Sequence, residues 1–191
     1  VGLGALAVAA PVLMAPSAST AAVSAALAPV IQVDFEMDEP DGATVMMDSA
    51  GSGLSGLIDQ TGLDTGVVYN GSTGYSWPRR GPNEPPASPE RIIQVADDPL
   101  LDPMNDTFTV EIRYRTKEKF GNIIQKGQSA SKGGQWKIQN PQGKPSCLFK
   151  GSIGRVATQS KVTLNDNAWH VLTCVHEPTR VSMYVDGVFM N

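Results

Sequence analysis

A short acidic run around residue 36 is the first place where side chains could do chemistry. Glu36 and Asp38 lie two positions apart, so on an extended strand their carboxylates share one face. Two carboxyl groups about 5 Å apart on such a face are the machinery of retaining glycoside hydrolysis. The third carboxylate that such a catalytic strand would need, Asp41, comes only after Pro40, and proline is excluded from central strands. The run therefore indicates a turn with solvated charge rather than a catalytic strand.

No other catalytic arrangement is visible in the sequence. It contains no nucleophile elbow, no helical zinc-protease motif and no phosphate-binding glycine loop. The two histidines, His170 and His176, do not have the spacing of zinc ligands relative to the cysteines. We expect His170 to pack at the start of a strand, and the sequence predicts a protein that is not an enzyme.

A proline-rich segment offers aromatic and cationic side chains that could bind a ligand. Five of the twelve residues after Trp77 are proline, so the segment should be stiff and extended. Trp77, with Tyr75 nearby, could stack on a sugar ring. Arg79 and Arg80 could pair with an anionic group of a glycan. The alternative is that Trp77 covers an edge of the core and that the segment is only a spacer.

The alternating stretch 107–116 offers a second candidate surface. Its apolar face, predicted to join the core, carries Phe108, Val110, Ile112 and Tyr114. The opposite face carries Thr109, Glu111, Arg113 and Arg115. Of these, Glu111, Arg113 and Arg115 are candidate ligand contacts. On an open sheet the same polar stripe could simply be solvated.

Two cysteines, Cys147 and Cys174, are predicted to form a disulfide. An even pair usually bridges in an oxidising, exported protein. Both lie in β-segments, and we expect the strand of Cys147 to neighbour the strand of Cys174 in the same sheet. The alternative is two buried thiols on different sheets.

The first thirty residues differ in composition from the rest, because they contain no charged side chain. The stretch 1–15 has the length of the apolar region of a signal peptide and is too short to span a bilayer. We predict that residues 1–29 are a secretory signal without its basic start, of bacterial type. Residues 30–191 then form one domain of a secreted protein with no membrane span. An uncleaved anchor or a disordered leader is the alternative.

The rest of the chain reads as short alternating segments separated by turns, with no helical periodicity. The predicted strands cover 30–37, 43–47, 55–59, 66–71, 91–96, 107–116, 121–127, 135–140, 145–152, 155–162, 169–177 and 181–185. Leu172, Cys174, Val181, Met183 and Val185 should share one inward face. Net charge is −4 with interspersed signs, which argues against a nucleic-acid partner. This pattern predicts an all-β fold, either a sandwich of two antiparallel sheets or a barrel.

Six motifs in order resemble the laminin-G-like domains of the concanavalin A-like lectin/glucanase superfamily. They are DSAGSG at 48–53, VVYNGS at 67–72, FTVE at 108–111, IIQKG at 123–127, WH at 169–170 and YVDG at 184–187. The resemblance implies a jelly-roll sandwich with one flat and one curved sheet. Such domains continue past the YVDG turn, so we expect this chain to be truncated before its closing strands.

The resemblance also implies a secreted, non-catalytic module that binds carbohydrate or an extracellular protein surface. A glycoside hydrolase of the same superfamily and a structural spacer module are the alternatives. Members often hold a calcium ion at the rim through Asp and backbone oxygens. Asp48, Asp64 and Asp186 lie near turns, but none has a defensible ligand spacing, so no metal residue is assigned. Members also often carry Trp where Arg113 stands, which is a departure in this chain.

Overall fold

The computed structural model describes residues 30–59, 63–78 and 93–191. The chain divides into two units, Val1–Val30 and Ile31–Asn191, and the described architecture belongs to the second. The predicted signal peptide at 1–29 lies outside the described residues, as do Arg79 and Arg80. No helix in the described ranges is long and apolar enough to cross a membrane.

The described residues are almost entirely strands and turns, as the alternation predicted. The strands are β1 Val45–Met47, β2 Ser55–Ile58, β3 Asp64–Tyr69, β4 Ser72–Ser76, β5 Ile93–Val95, β6 Phe108–Tyr114, β7 Asn122–Gly127, β8 Gln135–Gln139, β9 Ser146–Gly151, β10 Gly154–Gln159, β11 His170–Glu177, β12 Arg180–Val185 and β13 Val188–Phe189. Single 3-10 turns occur at Pro99–Leu101 and Pro141–Gly143, and no α-helix occurs in the described ranges.

Two four-stranded antiparallel sheets form the main sandwich. The first, sheet I, has the order β13-β12-β11-β6, and the second, sheet II, has the order β10-β9-β8-β7. A smaller three-stranded sheet has the order β1-β2-β5, and β3 and β4 form a separate hairpin. The all-β, two-sheet fold class predicted from the sequence is thereby confirmed.

The core between sheets I and II follows the predicted inward face. Leu172 of β11 pairs with Ile112 of β6 and with Val185 of β12, and its side chain is completely buried. Cys174 pairs in the same way with Val110 and Met183. Because side chains alternate along a strand, a slip of one residue would have exposed this whole set. The buried core residues of both sheets and of the connecting segments are Val110, Trp136, Ile138, Cys147, Phe149, Leu164, Leu172, Cys174, Val181, Met183 and Val185.

A second, smaller apolar cluster lies under the three-stranded sheet. Its buried members are Met46, Ile58, Leu63 and Tyr75, with Phe35 packed against them. Gly56 of β2 allows the close approach within this sheet, since a Cβ there would lie 2.7 Å from the Ile93 side chain.

The segment 30–37 is not a strand, which corrects the sequence prediction. Its backbone is held by the following loop instead of by a sheet partner. The Asp34 N–H donates to Asp48 Oδ1 at 2.6 Å, and the Ser49 N–H donates to the Asp34 carbonyl at 2.8 Å. Alternation alone could not reveal this, because a strand also requires a partner in register. Conversely, β4 and β13 are strands that the sequence reading left out.

A disulfide joins Cys147 of β9 to Cys174 of β11, with Cα atoms 6.1 Å apart. The bridge is the one predicted, but it links sheet II to sheet I and not two neighbouring strands of one sheet. Each cysteine points to the inter-sheet core and is fully buried. The position follows from alternation, since Cys147 shares its face with Phe149, and Cys174 shares its face with Leu172.

Candidate functional site

The outer face of sheet I carries the polar stripe predicted for residues 109–115. Glu111 and Arg113 are exposed there, opposite Thr173 and Val171 of β11. The Thr173 hydroxyl donates to Glu111 Oε2 at 2.8 Å, a cross-strand hydrogen bond. The stripe thus lies on an outward face, as the alternation required.

The β3–β4 hairpin lies against one end of this face. Its tight turn at Asn70-Gly71 has positive φ at both positions, the geometry that suits Asn-Gly. Arg113 Nη2 donates to Ser72 Oγ at 3.1 Å. A Cβ placed on Gly74 would lie 3.7 Å from Trp169, so the hairpin backbone and the indole ring are in close approach.

Two guanidinium groups stack on aromatic rings where the hairpin meets sheet I. The Arg115 guanidinium carbon lies 3.3 Å from the Tyr69 ring centroid and 5.8 Å from the Trp169 ring centroid. The corresponding carbon of Arg113 lies 4.4 Å from the Trp169 ring. We call these four residues, Tyr69, Arg113, Arg115 and Trp169, the arginine–aromatic cluster. The rings hold both cations in fixed positions and so reduce the entropy lost on binding a ligand.

The charges of this cluster are not neutralised within the described part of the chain. Arg115 Nη1 donates to the neutral Asn167 Oδ1 at 2.7 Å, and Arg113 donates to a serine hydroxyl. Neither guanidinium forms an ion pair with a carboxylate of the described ranges. Since an arginine presents five N–H donors in a planar fork, donors remain for a carboxylate or sulfate.

Tyr75 has a structural role that the sequence did not indicate. Only 8% of its surface is exposed, and its hydroxyl donates to the carboxylate of Glu39. Burial raises the pKa of Tyr75 above its usual value, and the hydrogen bond to Glu39 acts in the same direction. The buried ring cannot offer a face to a sugar, which corrects its prediction as a stacking residue.

Trp77 keeps the exposure that a stacking residue needs. Half of its surface is accessible, and its ring meets the edge of Tyr75 at a centroid distance of 6.2 Å. Its ligand role stays a prediction.

His170 forms a clamp at the start of β11. Its Nδ1 lies 2.8 Å from Asp186 Oδ2, and its Nε2 lies 3.1 Å from Asp166 Oδ1. Partial burial acts to lower the pKa of His170, but the hydrogen bonds and charges of the two aspartates raise it overall. Asp186 Oδ1 also accepts the Val171 N–H at 2.8 Å. The clamp ties the β12–β13 turn to the start of β11.

Most of the acidic residues considered for catalysis or for calcium binding either accept hydrogen bonds from the backbone or lie apart from one another. Glu36 and Asp38 are exposed in a segment that is not a strand, while Glu39 Oε1 accepts the Met47 N–H at 2.6 Å. Backbone N–H donation, first from Asp34, lowers the pKa of Asp48 to about 2. Within the described residues, no three His, Cys, Asp or Glu side chains are grouped so as to hold a metal ion.

The sequence reading missed Tyr69 and Trp169 as members of the cluster. Trp169 was visible in the sequence as the aromatic residue directly before β11. Its contact with Arg113 depends on register, because Arg113 pairs across sheet I with Val171, two positions after Trp169 and on the same face. Tyr69 gave no such signal, since its partner is 46 positions away and belongs to a different sheet.

Two packed antiparallel sheets, linked by a buried disulfide and open on one polar face, define a β-sandwich module. A laminin-G family model of the concanavalin A-like lectin/glucanases superfamily matches residues 90–191, just over half of the chain. The chain therefore belongs to the laminin-G-like family of that superfamily, as the six motifs indicated.

Among solved structures, the chain is similar to the mouse laminin alpha1 chain, domains LG4-5. The two are 21% identical, with a TM-score of 0.42, over 46% of this chain and 23% of that chain. The search of curated proteins gave no match.

Proposed function

We propose that this chain is a secreted, non-catalytic binding module for a glycan that carries a carboxylate or sulfate group. The arginine–aromatic cluster is the contact site. The observation that supports this most strongly is the pair of guanidinium groups of Arg113 and Arg115, stacked on rings and free of carboxylate partners among the described residues. The family and the disulfide fit an extracellular location.

The recognition chemistry follows from these groups. Each guanidinium can donate two parallel hydrogen bonds to one carboxylate or sulfate, which gives both energy and direction. Thr173 and Glu111 on the adjacent strands supply a hydroxyl and a carboxylate for sugar hydroxyl groups. Trp77 and the cations Arg79 and Arg80 are further proposed contacts.

A glycan array tests the proposal with the double variant Arg113→Gln/Arg115→Gln. A matched control removes two cations elsewhere, Lys150→Gln/Arg155→Gln, on the far sheet. We expect the first variant to lose binding to acidic glycans at least tenfold, while the control keeps it. Equal loss in both variants would mean that net charge alone causes the signal, and the proposed site would be wrong. Release of reducing sugar from any bound glycan would contradict the non-catalytic assignment.

A further inference from the structure

The tip of the β9–β10 hairpin combines an apolar side chain with a basic surface. Ile153 occupies the turn between Gly151 and Gly154, which pair with each other across the hairpin. With 87% of its surface exposed, it is the most exposed large apolar residue of the described ranges. An isoleucine in this position adds nothing to the core and leaves an aliphatic side chain at the tip that can contact a partner outside the domain.

Two like charges face each other directly behind this tip. Lys150 and Arg155 are opposite residues of β9 and β10, and both are exposed. Like charges in directly opposed positions destabilise a hairpin. The arrangement therefore costs folding stability and suits an anionic partner that would neutralise both.

The neighbouring loop extends the basic surface. Lys150 Nζ donates to the Ser129 carbonyl at 2.7 Å, which holds the 128–134 loop beside the hairpin. That loop adds the exposed Lys132 and contains no Asp or Glu. Strands β8, β9 and β10 also contain no Asp or Glu, and β8 adds Lys137. Strands β8 to β10 and the loop thus supply cations and no carboxylate, while on β7 of the same sheet Lys126 pairs with Asp97 and Asp102.

We propose that this end of sheet II docks on a membrane surface rich in anionic phospholipid. Ile153 enters the boundary between headgroups and acyl chains, while Lys150, Arg155 and Lys132 contact the headgroup phosphates. A lipid surface is favoured over a soluble anionic polymer because the tip residue is aliphatic and the most exposed of its kind. A soluble polyanion would use the cations but would gain little from Ile153. This surface is separate from the arginine–aromatic cluster, which lies on sheet I.

Vesicle sedimentation with the full chain tests the proposal. The vesicles contain phosphatidylcholine alone or phosphatidylcholine mixed with phosphatidylserine. The variants are Ile153→Ser and Lys150→Gln/Arg155→Gln, with Val68→Ser as the matched control, since Val68 is an exposed apolar residue of the other hairpin. Residues 1–29 have no charged side chain and are the same in every variant, so binding through them cannot differ with lipid charge or variant.

We expect binding to the phosphatidylserine vesicles to weaken roughly thirtyfold in the double variant, since each surface cation contributes about fivefold. Ile153→Ser should weaken it about tenfold, and Val68→Ser should leave it unchanged. Equal binding to both vesicle types would overturn the proposal. So would wild-type affinity in Ile153→Ser, which would indicate a polyanion contact instead. Arg113→Gln/Arg115→Gln should bind vesicles normally, so failure here is distinguishable from failure of the proposed glycan site.

Discussion

Cys147 and Cys174 connect the two sheets of the sandwich through its interior, with their Cα atoms 6.1 Å apart and no exposed surface. The bridge closes a loop over a sequence separation of 27 residues. It therefore restricts the unfolded chain while it fixes the distance between sheets I and II. A domain of this size has a total stability of about 5–15 kcal/mol, so one such link is a sizeable fraction of it.

Removal of the disulfide should lower the free energy of unfolding by about 3.5 kcal/mol, from the entropy of closing that loop. Urea titration of Cys147→Ala/Cys174→Ala against the oxidised wild type measures the difference. Wild type reduced with dithiothreitol serves as the control, because it keeps both side-chain volumes. A loss below about 1 kcal/mol in the reduced protein would contradict the prediction.

Tyr75→Phe separates a structural tyrosine from a ligand-binding one. Loss of the hydroxyl removes the hydrogen bond to the Glu39 carboxylate, so we expect a stability loss of about 1.5 kcal/mol. Ligand affinity should not change, because the Tyr75 ring is buried. Trp77→Ala is the comparison, since Trp77 is half exposed and should affect stability less. A Tyr75→Phe variant with weaker glycan binding and normal stability would reverse this assignment.

The sequence was sufficient for the strands that alternate and pair within sheets I and II. Leu172 and Met183 lie in the core because the apolar residues of β11 and β12 recur at every second position. The alternation at 30–37 is just as regular, yet that segment binds the loop at Asp48 and forms no strand. A periodic pattern states which side chains share a face and does not state whether a partner strand is present.

The arginine–aromatic cluster could be predicted only in part for a related reason. Arg113 and Arg115 were evident as outward cations on a strand, which is a local property. Tyr69 reaches Arg115 through the placement of a hairpin that belongs to neither main sheet. That placement depends on packing between distant segments, which a single sequence does not encode in any local pattern.

The His170 clamp should make stability depend on pH near neutrality. The pKa of His170 is raised in the folded protein from the ordinary value of 6.5. Its contribution to the free energy of unfolding is therefore complete below that pH. It is lost as the pH rises through the higher folded-state pKa. The pKa values of Asp166 and Asp186 are lowered from 3.8, so their contribution is complete above that pH and is lost on acidification. The clamp should therefore stabilise the folded protein most between pH 3.8 and 6.5.

Melting temperatures measured across the neutral range check this expectation. Wild type should melt at progressively lower temperature as the histidine loses its proton, and His170→Asn should show a flatter profile. Asn keeps a hydrogen-bonding side chain without a titrating charge, which makes it the matched control. Parallel profiles for the two proteins would show that the pH dependence has another origin.

Arg113→Lys tests whether geometry or charge governs the proposed glycan site. Lysine keeps the positive charge, but it has no planar fork for bidentate bonding and stacks less well on Trp169, so it should not replace arginine. We expect about a tenfold loss of affinity for an acidic glycan, and a larger loss for Arg113→Gln.

Affinity measured over a range of salt concentrations separates the effect of charge from the effect of geometry. The Lys variant should keep the wild-type salt dependence, and the Gln variant should lose part of it. Wild-type affinity in Arg113→Lys would show that the stacked geometry of Arg113 over Trp169 is not needed for binding.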